Sequence, residues 1–341
     1  MIYFNCDYME GAHPNILKRL QETNMDKTVG YGDDPYTESA KARIREACDA
    51  PDSEVMLLVG GTQTNDVVIA SFLQPYQGVI APTNGHIARH EAGAIEHSGH
   101  KVLALPGENY KLSAEQIREY CWLYYKDASK DHMVMPGMVY ISQPTEYGTI
   151  YSLEELTAIR RVCDEYDLAL YVDGARLAYA LGSPENDVTL KDLARLTDVF
   201  YIGGTKCGAL FGEAVVVRDP KRVPHMFMIA KQHGAVLAKG RLLGIQYDEL
   251  FKDDLYLKIG QHAIDMAMKI KNACKEKGYV FYNDSPTNQQ FVIISNEKEK
   301  EMSEWLEIEM DDTYDEDHIV MRLCTSWATK EEDVDALIER L

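Results

Sequence analysis

Short apolar runs alternate with amphipathic stretches through the first two thirds of the chain. The runs EVMLLVGG (54–61), GVIAP (78–82), KVLALP (101–106), MVMPGMVYISQP (133–144), LALYVDGA (168–175), DVFYIGGT (198–205) and EAVVVRD (213–219) read as strands. Between them, TNDVVIASFLQ (64–74), SAEQIREYCWLYYKD (113–127), SLEELTAIRRVCDEYD (152–167) and a segment near 190–196 carry helical spacing. Strands that stay apolar along their length and are separated by helices predict a mainly parallel sheet covered on both faces. After about residue 240 the character shifts: a helical stretch over 240–277 leads to GYVFYND, QQFVIISN, HIVMRLCTSW and a final helix at 329–341. The pattern predicts a large α/β domain over 1–240, which includes the N-terminal segment, and a smaller α+β domain over 241–341.

Composition adds exclusions. The 341 residues are 45% hydrophobic and 26% charged, ordinary values for a globular chain, and the formal net charge of -20 argues against nucleic acid or an anionic membrane as partner. Seven scattered cysteines with no CxxC pair disfavour a disulfide framework or a structural zinc site. The opening MIYFNCDYMEGAHPN has no basic segment followed by an apolar one, so no signal peptide is expected. No apolar run approaches the roughly 18 residues of a membrane helix. The chain reads as cytoplasmic.

In an open α/β sheet, ligands bind beyond the carboxyl ends of the strands. Five such ends carry small or polar groups here: GGTQTND, GHIARHEAG, QPTEYG, DGARL and GGTKCG. Each has two readings. GGT is turn chemistry or, at the start of a helix, a phosphate cradle. Asp173 is a helix cap with Arg176 as its surface partner, or an acid that a ligand in the mouth needs. Lys206 is a solvated turn lysine, or an amine that a ligand needs. His86 and His90, four apart and followed by Glu91, could face one way on a helix as a pair of metal ligands, but no further ligand stands at a recognisable spacing, so no metal is expected. Arg322 lies inside an apolar strand and needs a carboxylate partner, from the protein or from a substrate. Together, an amine, an acid one strand earlier, a phosphate turn and a carboxylate-binding arginine match pyridoxal 5'-phosphate. That cofactor needs a Schiff-base lysine, an acid at its ring nitrogen and donors for its phosphate. No GxGxxG opens the first strand–helix unit, which disfavours a Rossmann dehydrogenase.

The chain resembles the low-specificity L-threonine aldolases of the β-eliminating lyase group, fold-type I pyridoxal-phosphate enzymes. The resemblance runs in order through VGYGDDPYT (29–37), GGTQTN (60–65), GHIARHEAG (85–93), YVDGARLAYAL (171–181), GGTKCG (203–208) and RLCTSWATKEEDVD (322–335). It implies a mostly parallel sheet flanked by helices and cleavage of L-threonine, L-allo-threonine and related β-hydroxy-α-amino acids to glycine and an aldehyde. It also implies roles: Lys206 carries the cofactor, Asp173 pairs with its ring nitrogen, His86 lies on the ring, and Gly61, Thr62 and Gln63 cradle the phosphate. Arg176 contacts cofactor or substrate and Arg322 clamps the substrate carboxylate. Tyr31 enters a neighbouring subunit's site, since the family resembles dimers of dimers with shared sites. Lys231 or Lys239 reaches a phosphate across that interface.

The chain departs from the family pattern at three places. A common Thr-His-Asn-Gly reads TEYG, with Glu146 in the histidine's place; Ser-Asp reads Cys6-Asp7, leaving Cys6 at a substrate position; and Ser-Lys-Gly reads TKCG. Two bases for the β-hydroxyl proton stay open: a water held near His86, or Glu146. The alternatives to aldol cleavage are β-elimination from another amino acid on the same scaffold and a non-catalytic cofactor-binding scaffold.

Overall fold

The computed structural model describes residues 1–341, the side chain of residue 311 excepted. Seven strands build the central sheet: β1 (Glu54–Leu58), β2 (Gln77–Pro82), β3 (Lys101–Leu105), β4 (Met135–Ser142), β5 (Ala169–Asp173), β6 (Val199–Gly203) and β7 (Glu213–Val217). Their order is β1-β7-β6-β5-β4-β2-β3. β7 runs antiparallel to both neighbours, and the other pairs are parallel. Every residue of β5, β6 and β7 is buried, whereas the edge strands β1 and β3 are partly exposed. That explains the unbroken apolar runs: successive side chains alternate between two apolar layers, Leu170, Val172, Phe200 and Ile202 on one side and Ala169, Tyr171, Val199 and Tyr201 on the other.

Two helices precede the sheet, Pro14–Glu22 and Pro35–Cys48, each with proline in its first turn, where the missing N–H costs nothing. Asp34 caps the second by accepting from the Thr37 N–H at 2.9 Å. The helical stretch expected over 240–277 is two helices, Arg241–Leu250 and Leu255–Glu276. Asp253 and Asp254, at φ 52° and 57°, break it in the left-handed conformation that Asp tolerates better than most residues.

The second sheet consists of β8 (Val280–Phe281), β9 (Gln289–Ser295), β10 (Glu309–Thr313) and β11 (His318–Cys324), in the antiparallel order β10-β11-β9-β8. Ile2–Tyr3 pairs in parallel with Leu306–Glu307, and Phe4 joins the apolar core beneath this sheet. The expected boundary at 240/241 falls at the start of the helix Arg241–Leu250, which packs on Pro35–Cys48. Helix Leu255–Glu276 serves both cores: Tyr256, Ile259, Ala263 and Ile264 face the large sheet's core, while Met266, Ile270 and Cys274 face the smaller one.

This helix crosses Leu177–Leu181 closely enough that a Cβ at Gly260 would lie 2.1 Å from the carbonyl oxygen of Ala178. Gly260→Ala is expected to destabilise by about 1–3 kcal/mol through overpacking. The measurement is urea denaturation, with a lower midpoint expected at unchanged slope; an unchanged midpoint would show that the crossing yields freely.

Candidate active site

The carboxyl ends of the parallel strands open into a cavity of about 400 Å³. All five strand ends singled out in the sequence contribute to its lining: Gly60–Thr62 after β1, His86 and His90 after β2, Pro144 and Glu146 after β4, Asp173 and Arg176 at the end of β5, and Thr205 and Lys206 after β6. Because β7 is antiparallel, its first residue, Glu213, comes to the same edge and lines the cavity too.

Asp173 is held by four donors. Oδ1 accepts from the Tyr201 hydroxyl (2.5 Å) and the Ala175 N–H (3.0 Å), and Oδ2 accepts from the Tyr140 hydroxyl (2.6 Å) and Asn65 Nδ2 (3.3 Å). Burial, reinforced by the charge of Asp173, pushes both tyrosines far above their ordinary pKa, so they serve as neutral donors. Asn65 extends the network. Its Nδ2 also donates to Glu91 Oε1 (2.7 Å), and its Oδ1 accepts from the Tyr171 hydroxyl (2.6 Å). Glu91 Oε1 lies 2.7 Å from His86 Nδ1, so a continuous set of hydrogen bonds joins His86 to Asp173. Burial opposes protonation of His86, but Glu91 and Asp173 outweigh it and its pKa is raised.

The Lys206 turn is clamped from behind. A Cβ at Gly174 would sit 2.0 Å from the Tyr201 carbonyl oxygen, so the two strand ends can approach only with glycine there. Three buried tyrosines donate to the turn's carbonyls: Tyr179 to Lys206 (2.5 Å), Tyr256 to Gly203 (2.9 Å), and Tyr247 to Ile202 (2.6 Å) and Gly212 (3.0 Å). Lys206 itself projects into the cavity, with Nζ 5.9 Å from the centre of the Tyr8 ring. Burial, with Arg176 nearby, lowers its pKa despite Asp7, Asp173 and Glu213. The shift makes the neutral, nucleophilic amine more accessible than it is in an exposed lysine.

Glu146 Oε1 accepts from the His86 N–H (2.9 Å) and the Ser142 hydroxyl (2.8 Å). Burial and Asp173 raise its pKa against its own backbone N–H, the Ser142 hydroxyl and His86. Arg176 is bound by Asp7 through Nε (2.6 Å) and Nη2 (3.1 Å), and Asn288 Nδ2 supports Asp7 at 3.0 Å. Burial works against ionisation of Asp7, but Arg176, Lys206 and these hydrogen bonds hold its pKa below the ordinary 3.8.

Several other expected residues lie outside this cavity. Gln63 folds back so that its Oε1 accepts from the Val59 N–H (3.3 Å). Cys6 is buried, and Tyr8, two residues on, lines the cavity instead. Arg322 donates to the Asn5 carbonyl oxygen (3.0 Å) and to Glu309, so the protein supplies its carboxylate. Tyr31 lines a separate groove of about 420 Å³ along edge strand β1, with Lys231 Nζ 4.6 Å from its ring centre; Lys231 and Lys239 are exposed. Among the described residues no group of three or more His, Cys, Asp or Glu could hold a metal ion.

A family model described as β-eliminating lyase matches residues 4–297. The chain belongs to the β-eliminating lyase family. A low-specificity L-threonine aldolase of Pseudomonas sp. (strain NCIMB 10558) is 33% identical to this lyase over 265 residues, 76% of this chain and 74% of its own. The solved threonine aldolase of Leishmania major is 41% identical, with a TM-score of 0.97, over 100% of this chain and 98% of that one. Aspartate aminotransferase of Thermus thermophilus, 13% identical with a TM-score of 0.73 over 100% of this chain and 90% of its own, shares the fold. The lyase thus has the fold-type I architecture that the sequence implied.

Asp7→Asn leaves the buried Arg176 charge without its counter-ion, and a loss of about 3–5 kcal/mol is expected by chemical denaturation. Because the folded pKa of Asp7 is depressed, its contribution is present above 3.8 and is lost as pH falls through and below that value. The variant should lack that part of the acid slope; identical slopes would contradict the pairing.

Proposed function

We propose that this lyase binds pyridoxal 5'-phosphate in the cavity and cleaves L-threonine, L-allo-threonine and related β-hydroxy-α-amino acids to glycine and an aldehyde. One observation carries the reading: Lys206, Asp173 and the N-terminus of the helix Gly61–Phe72 open into one cavity. The cofactor fits what is present. Gly60 has open space where a Cβ would be, and no side chain caps the helix, so its first N–H groups suit a phosphate. Asp173 suits a ring nitrogen, and Lys206 supplies the amine. The bound cofactor contributes an electron sink for the pair released at Cα.

The chain's residues do the rest. Arg176 is oriented by Asp7 through Nε and Nη2, with Nη1 outside that pair and assigned to the substrate carboxylate. Glu146, held by Ser142 and the His86 N–H, takes the β-hydroxyl proton as the Cα–Cβ bond breaks; its raised pKa makes it a stronger base than an exposed carboxylate. Two further readings belong to the same proposal. The exposed Tyr31, Lys231 and Lys239 lie away from their own cavity, which supports a homo-oligomer, a dimer of dimers, in which they complete a neighbour's site. Seven free, buried cysteines support a cytoplasmic setting.

Purified protein with cofactor and L-threonine is expected to release glycine and acetaldehyde in equal amounts; pyruvate and ammonia instead would overturn the aldolase reading. Glu146→Gln is expected to lower kcat by about 10²–10⁴-fold. It should also remove the acid limb of the pH profile, where wild-type activity falls as Glu146 takes up a proton. A few-fold loss with the limb retained would assign the base elsewhere.

A further inference from the structure

Glu213 has no part in the chemistry above, yet it occupies a central place in the site. In the sheet it is registered between Leu58 of β1 and Gly203 of β6. One neighbour leads within two residues to Gly60 and the uncapped helix N-terminus; the other leads within three to Lys206. Glu213 is 3% exposed and lines the same cavity. Its oxygens accept from two neutral donors, the Thr205 hydroxyl (2.8 Å) and the Gly204 N–H (3.3 Å). The ionisable groups around it are Asp173 and Tyr171 on β5, Tyr201 on β6, Lys206 and Cys207 in the following turn, and Tyr247 on the helix Arg241–Leu250.

A phosphate ester carries nearly two negative charges above pH of about 6. Placed at the β1 end of this cavity, it would join the charge of Asp173 in a region of low dielectric. An ionised Glu213 at the adjacent register position would add a further negative charge. We propose that Glu213 is the acid that limits cofactor binding: a seated phosphate and an ionised Glu213 exclude each other, so the site holds the phosphate only with Glu213 protonated. The inference rests on the cofactor reading above. Burial, with Asp173, supports it by lifting the carboxyl to about 8, against Thr205, Lys206 and the Gly204 N–H.

The test compares two ligands, pyridoxal phosphate and pyridoxal, titrated into cofactor-free protein between pH 7 and 9.5. Both react with Lys206, so the ratio of their affinities isolates the phosphate end. In the wild type, the preference for the phosphorylated ligand is expected to fall above pH about 8, approaching a tenfold loss per pH unit. In Glu213→Gln, which mimics the protonated acid, the preference is expected to stay at its neutral-pH value. A pH-independent ratio in the wild type overturns the proposal, and that measurement stands even if the variant fails to fold. A folded Glu213→Gln that follows the wild-type profile overturns it as well. Failure of the wild type to bind either ligand would sink the cofactor reading itself, whereas binding with a flat ratio sinks only this inference.

Discussion

The site is organised around one buried carboxylate. Asp173 ends a strand with no exposed residue, and the fold surrounds it with donors from three other elements: Tyr140 on β4, Tyr201 on β6 and Asn65 on the helix after β1. A buried charge is tolerated only when it is paired or fully hydrogen-bonded. Meeting that demand sets the relative positions of four strand ends. The same network, continued through Asn65 and Glu91, aims His86 at the cavity. The chemistry that a lysine three residues beyond β6 can perform therefore depends on how tightly the sheet closes around Asp173.

A second constraint acts from the far side of the cavity. The N-terminal segment adds a strand beside Leu306–Glu307, and the Cys324 N–H donates to the Phe4 carbonyl oxygen at 2.8 Å. Asp7 is thereby carried to Arg176, a residue of the large sheet's mouth. One buried ion pair thus ties the smaller core to the wall of the site. Glu309 plays a comparable part for Arg322, within the antiparallel sheet.

Much of this was legible in the sequence. Unbroken apolar strands with a polar residue directly at the end predicted both the parallel sheet and the mouth, and the same five strand ends line the cavity. What the pattern could not reveal depends on distance in space. Asn65 reads as one more polar residue of TQTN until the fold brings it to Asp173 and Glu91. Tyr140 and Tyr201 read as core tyrosines because only their hydroxyls, at the carboxyl ends of the strands, reach the site. The partners of Arg176 and Arg322 lie 169 and 13 residues away in sequence, and no local spacing signals either. Gln63 shows the converse: its place in a motif suggests a phosphate contact, but its side chain turns back to the Val59 N–H.

Everything proposed for this cavity requires Lys206 to be the amine that carries the cofactor. Borohydride reduction of the protein loaded with pyridoxal phosphate, followed by peptide mapping, tests it most directly. A single stably modified lysine is expected, at Lys206, and no such modification in Lys206→Ala. Modification at Lys231, Lys239 or any other lysine in place of Lys206 would contradict it.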